Sequence, residues 1–238
     1  MKLYDNVIYS VQTLLEDKGT VRLPLSSSSW NEVSDRSMIL RSDMAYELGS
    51  GRYDGLGLTL ITDNKALVET DSLELYGNDL PAIKADGPYA RIALVLVASD
   101  VMGEGDHLYS AIRRLEYTRY HFYPEGFMNR ISSSKHKESV RVSKESLRSG
   151  LTFSEAGSMM IKKFKENPEV RAVRLIYVTA DDFDYGKLFS LSCDAEEITK
   201  TIDHILKNVQ MDCKICNLQE ICNEVEGLRE LHFGQKND

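Results

Sequence analysis

Between Asp5 and Lys18 the apolar residues Val7, Val11, Leu14 and Leu15 recur at helical spacing. That periodicity predicts an amphipathic helix capped by Asp5 and stopped by Gly19. Shorter apolar stretches at Val21–Leu25, Leu56–Thr62, Ala66–Glu69 and Ser72–Tyr76 are separated by Gly, Asn and Asp turn signals and read as strands. Arg91–Ser99 is an almost unbroken apolar run, the pattern of a central strand buried on both faces. Leu108, Ile112 and Leu115 then predict a helix capped by Asp106, with Arg113, Arg114 and Glu116 turned outward. Glu138–Val142 is short enough for a strand. Thr152-Phe-Ser-Glu155 matches a capping box and opens a helix to about Glu166, ahead of Pro168. Arg171–Thr179 reads as a second core strand. A last long helix, with Ile198, Ile202, Ile205 and Leu206 inward, is expected to begin at Asp194.

Strands cluster early and helices dominate late, which predicts an α+β fold with a mixed sheet packed against helices. A doubly wound sheet is the alternative, because two of the strands are strongly apolar. Residues 1–208 are expected to form this domain, and 209–238 a cysteine-rich metal-binding tail. The serine runs Ser26–Ser29 and Ser132–Ser134 read as loops. Gly49-Ser50-Gly51 and Gly55-Leu56-Gly57 are too short for a phosphate loop and read as bulges or turns before a strand.

Composition narrows the partners. A net charge of −8 repels nucleic acid phosphates and anionic membranes, so neither is expected as a partner. No apolar window is long enough to span a bilayer, and Met1-Lys2-Leu3-Tyr4-Asp5 lacks the apolar core of a signal peptide. A cytoplasmic location is therefore expected. Its reducing conditions turn attention from disulfides to metal chemistry for the four cysteines.

Three of those cysteines form a tight set, Cys213, Cys216 and Cys222, in the pattern Cys-x2-Cys-x5-Cys. Thiolates two residues apart on a turn converge on one metal, and a third nearby closes the face. Cys193 upstream, or His232 in the final segment, would supply a fourth ligand. Four soft ligands suit a [4Fe–4S] cluster or zinc. Zinc ribbons more often pair two Cys-x2-Cys knuckles, and here the second is missing, so iron–sulfur is the first expectation. The spacing also resembles the cluster-binding tails of RecB-like nucleases and the auxiliary-cluster domains of some radical enzymes.

The blocks Glu47-Leu48-Gly49, Leu56-Gly57-Leu58-Thr59-Leu60 and Leu75-Tyr76-Gly77-Asn78-Asp79-Leu80 are followed by the Arg91–Ser99 run and Ile112-Arg113-Arg114. Glu125-Gly126-Phe127-Met128, Arg141-Val142-Ser143-Lys144-Glu145, Phe153 through Phe164, and Val173–Thr179 complete the series. In this order and spacing, Glu47 to Asp181 resembles the central domain of the acetyl-CoA synthase subunit of the carbon monoxide dehydrogenase/acetyl-CoA synthase complex. The resemblance implies a place in one-carbon metabolism, a protein partner from a one-carbon or electron-transfer complex, and arginines near a coenzyme A site. Arg113, Arg114, Arg119, Arg130 and Arg141 are the residues to which that role would pass, with Arg148 in the same third of the chain. The plainer alternative is a solvated face on which they pair with Glu116, Glu138 and Glu145. The family's nickel–iron–sulfur cluster uses a spaced cysteine set and a Cys-Gly-Cys turn, and this sequence holds no Cys-Gly-Cys. The expectation is thus an accessory or non-catalytic relative with an iron–sulfur cluster for electron transfer or docking. An enzyme with an open three-cysteine cluster and a zinc-stapled interaction module are the alternatives.

His107 and His121, with Tyr117, Tyr120 and Tyr123 nearby, come without a nucleophile or paired carboxylates and read as packing residues. Asp181-Asp182-Phe-Asp184 lacks the glycine and glutamate of a calcium loop and reads as a turn.

Overall fold

The longest apolar runs of the chain become the two central strands, because only a strand covered on both faces buries every side chain it carries. In the computed structural model, which describes residues 2–27, 30–33, 44–102, 105–131, 136–206 and 221, these are β5 (Tyr89–Val97) and β8 (Val170–Val178). They pair antiparallel. With β1 (Val21–Leu23), β3 (Gly55–Thr62) and β4 (Ser72–Tyr76) they form a five-stranded sheet in the order β1-β4-β8-β5-β3. β4 runs parallel to β8, β3 parallel to β5, and β1 antiparallel to β4. The fold is α+β with a mixed sheet, and the antiparallel centre rules out the doubly wound alternative.

A second, antiparallel sheet of three strands, β2 (Ala45–Leu48), β7 (Glu138–Ser143) and β6 (Phe127–Ile131), packs through β7 across β3 and β5. The short helix α3 (Lys144–Arg148) follows β7 directly, with the Ser143 hydroxyl as its cap. Register assigns the faces of the large sheet. Tyr177 lies opposite Arg91 and stacks on Phe153, the first residue of α4 (Phe153–Lys165). α4 and the small sheet therefore share one face. α1 (Asp5–Glu16) and the long α5 (Tyr185–Leu206) pack on each other, and α5 meets β3 on its other side. α2 (Gly105–Tyr117) completes this layer against α5 and β3.

Several expectations shift. α1 is capped at Tyr4 without a side-chain bond; Asp5 is instead buried, accepting from the Thr62 hydroxyl at 2.8 Å and from Asn64 at 3.2 Å. Residues 66–69 form no strand, and 65–67 are a turn, because Asn64 draws the chain back through its carbonyl and side-chain oxygens. α5 begins at Tyr185, well before Asp194, with Asp184 accepting from the Lys187 N–H at 2.7 Å as its cap. Gly55 and Gly57 lie within β3 and not in a turn before it. The turn at 181–184 is as expected, and Tyr76 donates to Asp182 there. The run Ser132–Ser134 lies outside the described residues.

Thr152 caps α4 as the sequence predicts, accepting from the Glu155 N–H at 3.2 Å, while the Glu155 carboxylate takes the Ser26 hydroxyl at 2.8 Å. Thr152→Ala is expected to cost about 1 kcal/mol in urea unfolding. A loss below a few tenths would show that α4 is held by packing alone.

Candidate functional site

β5 carries one charged residue, and it is wholly buried. Arg91 reaches across from the large sheet to Glu138 at the head of β7, with Nε at 2.7 Å from Oε1 and Nη2 at 2.8 Å from Oε2. Both side chains have 0% exposure. Burial alone would lower the Arg91 pKa, but the Glu138 carboxylate outweighs it and the guanidinium is held charged. Arg119, just past α2, adds a longer contact from Nη1 to Glu138 Oε2 at 3.4 Å. The arrangement requires Gly57: a Cβ there would stand 2.0 Å from Glu138 Oε2.

Arg119 leads outward to a pocket of about 170 Å3 bounded by β3, α2 and α5. Its charged lining includes Arg113, Glu116, Arg119, His136, Glu196 and Lys200. His136 adopts a left-handed backbone, φ 55°, which directs its carbonyl to the Gly57 N–H at 2.9 Å; its ring lies 3.3 Å from Glu196. Burial lifts the Glu116 carboxyl above its ordinary range, against the pull of Arg119 and Arg113 and with a further push from Glu196. The pocket therefore offers mixed charge, guanidinium groups beside a carboxyl that takes up protons readily.

The five candidate arginines part into three places. Arg113 and Arg119 line this pocket. Arg114 lies elsewhere, 2.6 Å from Glu169, which also meets the His107 ring at 2.7 Å. Arg130 and Arg141 flank Glu47 on the small sheet, at 3.3 and 3.2 Å. Arg148 is exposed on α3. Each of the five pairs with a glutamate, Arg113 with Glu116, Arg119 with Glu138, Arg114 with Glu169, and Arg130 and Arg141 with Glu47, but Arg119 and Arg141 are largely buried and do not form the solvated face of the plainer reading.

Cys193 is in the middle of α5, half-buried, and not at a helix start. Cys213, Cys216, Cys222 and His232 lie outside the described residues. Among the described residues no group of three or more His, Cys, Asp or Glu side chains is placed to hold a metal ion. No described helix is long and apolar enough to cross a membrane.

A family profile, that of the CO dehydrogenase/acetyl-CoA synthase complex beta subunit, matches residues 28–182, well over half the chain. The chain belongs to that family. No curated protein matches it closely enough to add a nearer relative. The beta-subunit match contains β2 to β8 and α2 to α4, and hence the Arg91–Glu138 pair; α1, β1 and α5 lie outside it. The pocket thus has β3 and α2 from the family region as two walls and α5 as the third.

Residues that sequence reasoning missed are Arg91, which stood at the rim of an apolar run, and Glu196 with Lys200, which look like ordinary polar positions of an amphipathic helix. Glu138→Gln is expected to cost about 3–5 kcal/mol in urea unfolding, because it leaves Arg91 charged and buried. Gly57→Ala should reproduce much of that loss; a neutral result for both would remove the pair from its structural role. A second expectation concerns pH. Burial works to raise the Glu169 pKa, but hydrogen bonds from Arg114 and His107 hold it below the ordinary 4.5. A lowered carboxylate contributes stability above pH 4.5 that is lost as pH falls through its folded value. The difference in Tm between wild type and Glu169→Gln should shrink on acidification below 4.5, and a difference that grows would reverse the assignment.

Proposed function

We propose that this chain is an accessory relative of the beta subunit that binds a [4Fe–4S] cluster through its cysteine segment. The cluster would serve electron transfer or docking to a protein partner in one-carbon and acetyl-CoA metabolism. The observation that carries this is the sequence that follows the family region. The match ends at residue 182, and Cys213, Cys216 and Cys222 follow at a spacing unlike the Cys-Gly-Cys pattern expected for the nickel site. Residues 1–208 would act as the scaffold and 209–238 as the metal segment.

The donor set fits the group proposed for it, since soft thiolates select iron–sulfur clusters or zinc. The fourth ligand is constrained by α5. Cys193 precedes Leu206, the end of α5, by thirteen residues, or about 20 Å of helix. The seven residues from 207 to 213 span at most about 25 Å when fully extended, so Cys213 comes within reach of Cys193 only if the chain turns back along the helix. Cys216 and Cys222 have more slack. Cys193 and His232 both stay open as the fourth ligand, beside the second reading, in which three cysteines hold a cluster with one iron open to a substrate.

Coenzyme A fits less well. Of the five arginines, Arg113 and Arg119 line the pocket described above, whose volume of about 170 Å3 falls short of the roughly 300–1,000 Å3 of small-molecule sites. It would take one charged end of that cofactor and not the whole.

Anaerobic purification with visible absorption and metal analysis tests the proposal. A brown protein with about four irons per chain is expected. A colourless protein with one zinc would sink it and leave a structural staple. Alanine variants then assign the ligands. Loss of the cluster in Cys193→Ala names Cys193, loss in His232→Ala names His232, and survival in both establishes the open three-cysteine form.

A further inference from the structure

The cysteine segment has one described residue, and that residue touches the domain. α5 ends at Leu206. Beyond it, Ile221 has helical backbone, is half-buried and packs against the same buried core that contains β5 and β8. The chain therefore returns to the folded body at a point between two cysteines. Cys216 precedes Ile221 by five residues, and Cys222 follows it directly.

An apolar contact of this kind is favourable by about 25 cal/mol for each Å2 taken from water. One half-buried isoleucine gains little alone, so its neighbours in sequence matter. Leu218 stands three residues before Ile221 and Val225 four residues after it, the spacing of one helical stripe. Gln219, Glu220, Asn223 and Glu224 fill the positions between, as on the wet side of an amphipathic helix.

We infer that the cysteine segment is anchored on the folded body through Ile221, with Leu218 and Val225 on the same apolar stripe. Cys222 is then held at the surface of the domain and is not carried on a free tail. The anchor itself needs no metal. Its corollary rests on the function proposed above: a cluster on this segment lies against the domain, and a partner reaches it across the domain's own surface.

The test uses the full chain, reduced and freed of metal by chelation, so its result does not depend on what the segment binds. Iodoacetamide labelling read by mass spectrometry gives the alkylation rate of Cys222. In Ile221→Asp that rate should rise about five- to tenfold over wild type, the factor that follows from losing a half-buried isoleucine. Gln219→Asp adds the same charge off the stripe and should leave the rate unchanged. Ile221→Ala shortens the contact without adding charge and should move the rate the same way by a smaller factor. Ile221→Asp should also lower Tm by about 2–4 °C. Equal rates in wild type and both Ile221 variants, or an equal rise in Ile221→Asp and Gln219→Asp, would overturn the anchor. Metal content reports on the other reading separately: a chain that passes the alkylation test and holds no metal keeps the anchor and loses the cluster.

Discussion

Where the two sheets meet, the constraint that everything around it must accommodate is one buried pair of charges, the two-pronged bond between Arg91 and Glu138. Two charges taken from water carry a large desolvation cost, and their attraction offsets it only when geometry is good and the other donors are used. Here Arg91 also reaches the Thr59 hydroxyl at 3.2 Å, and Arg119 shares Glu138. Such a pair does more to define one arrangement than to deepen stability, because a slip by one residue would bury both charges unmatched. The glycines around it fit that view. Gly57 leaves space for the carboxylate, and Gly55 lets β3 approach Gly49, where a Cβ would stand 2.2 Å from the Gly49 carbonyl oxygen.

The pocket lies where the family region meets α5. Its charges are matched largely within the chain: Arg113 with Glu116, Lys200 with Glu196 and Glu197, and His136 with Glu196. The first two sets lie within single helices, α2 and α5, and only His136 with Glu196 ties α5 to the segment that leads into β7. This internal matching helps explain why the arginines, read from sequence as a reserve for a charged ligand, are mostly engaged at home.

Much of the fold was legible because burial on both faces leaves a plain trace. The apolar runs at Arg91–Ser99 and Arg171–Thr179 located β5 and β8 to within two residues, and Thr152 marked the start of α4. The small sheet was harder. β2 and β6 have four and five residues, with Glu47 and Arg130 among them, and short strands of mixed polarity resemble loops. The start of α5 was missed although Tyr185, Leu188 and Leu191 recur at helical spacing and are buried, because Asp194, ahead of Ile198 and Ile202, was a more obvious cap than Asp184. Of the site, the arginines were visible as a cluster in sequence. Their dispersal was not, since pairing with Glu47 and Glu169 arises from chain crossings that local spacing does not encode.

The strand order has a consequence for how the molecule is made. β8 sits at the centre of the five-stranded sheet, yet it is the last strand among the described residues. During synthesis β1 with β4, and β3 with β5, can pair early, but each pair must keep an apolar edge open until residues 170–178 arrive. Closure then joins partners about a hundred residues apart, such as Leu73 with Leu175, an arrangement of high contact order. Until that moment two unpaired edges face the cell, and folding is a race between the arrival of β8 and association with other chains.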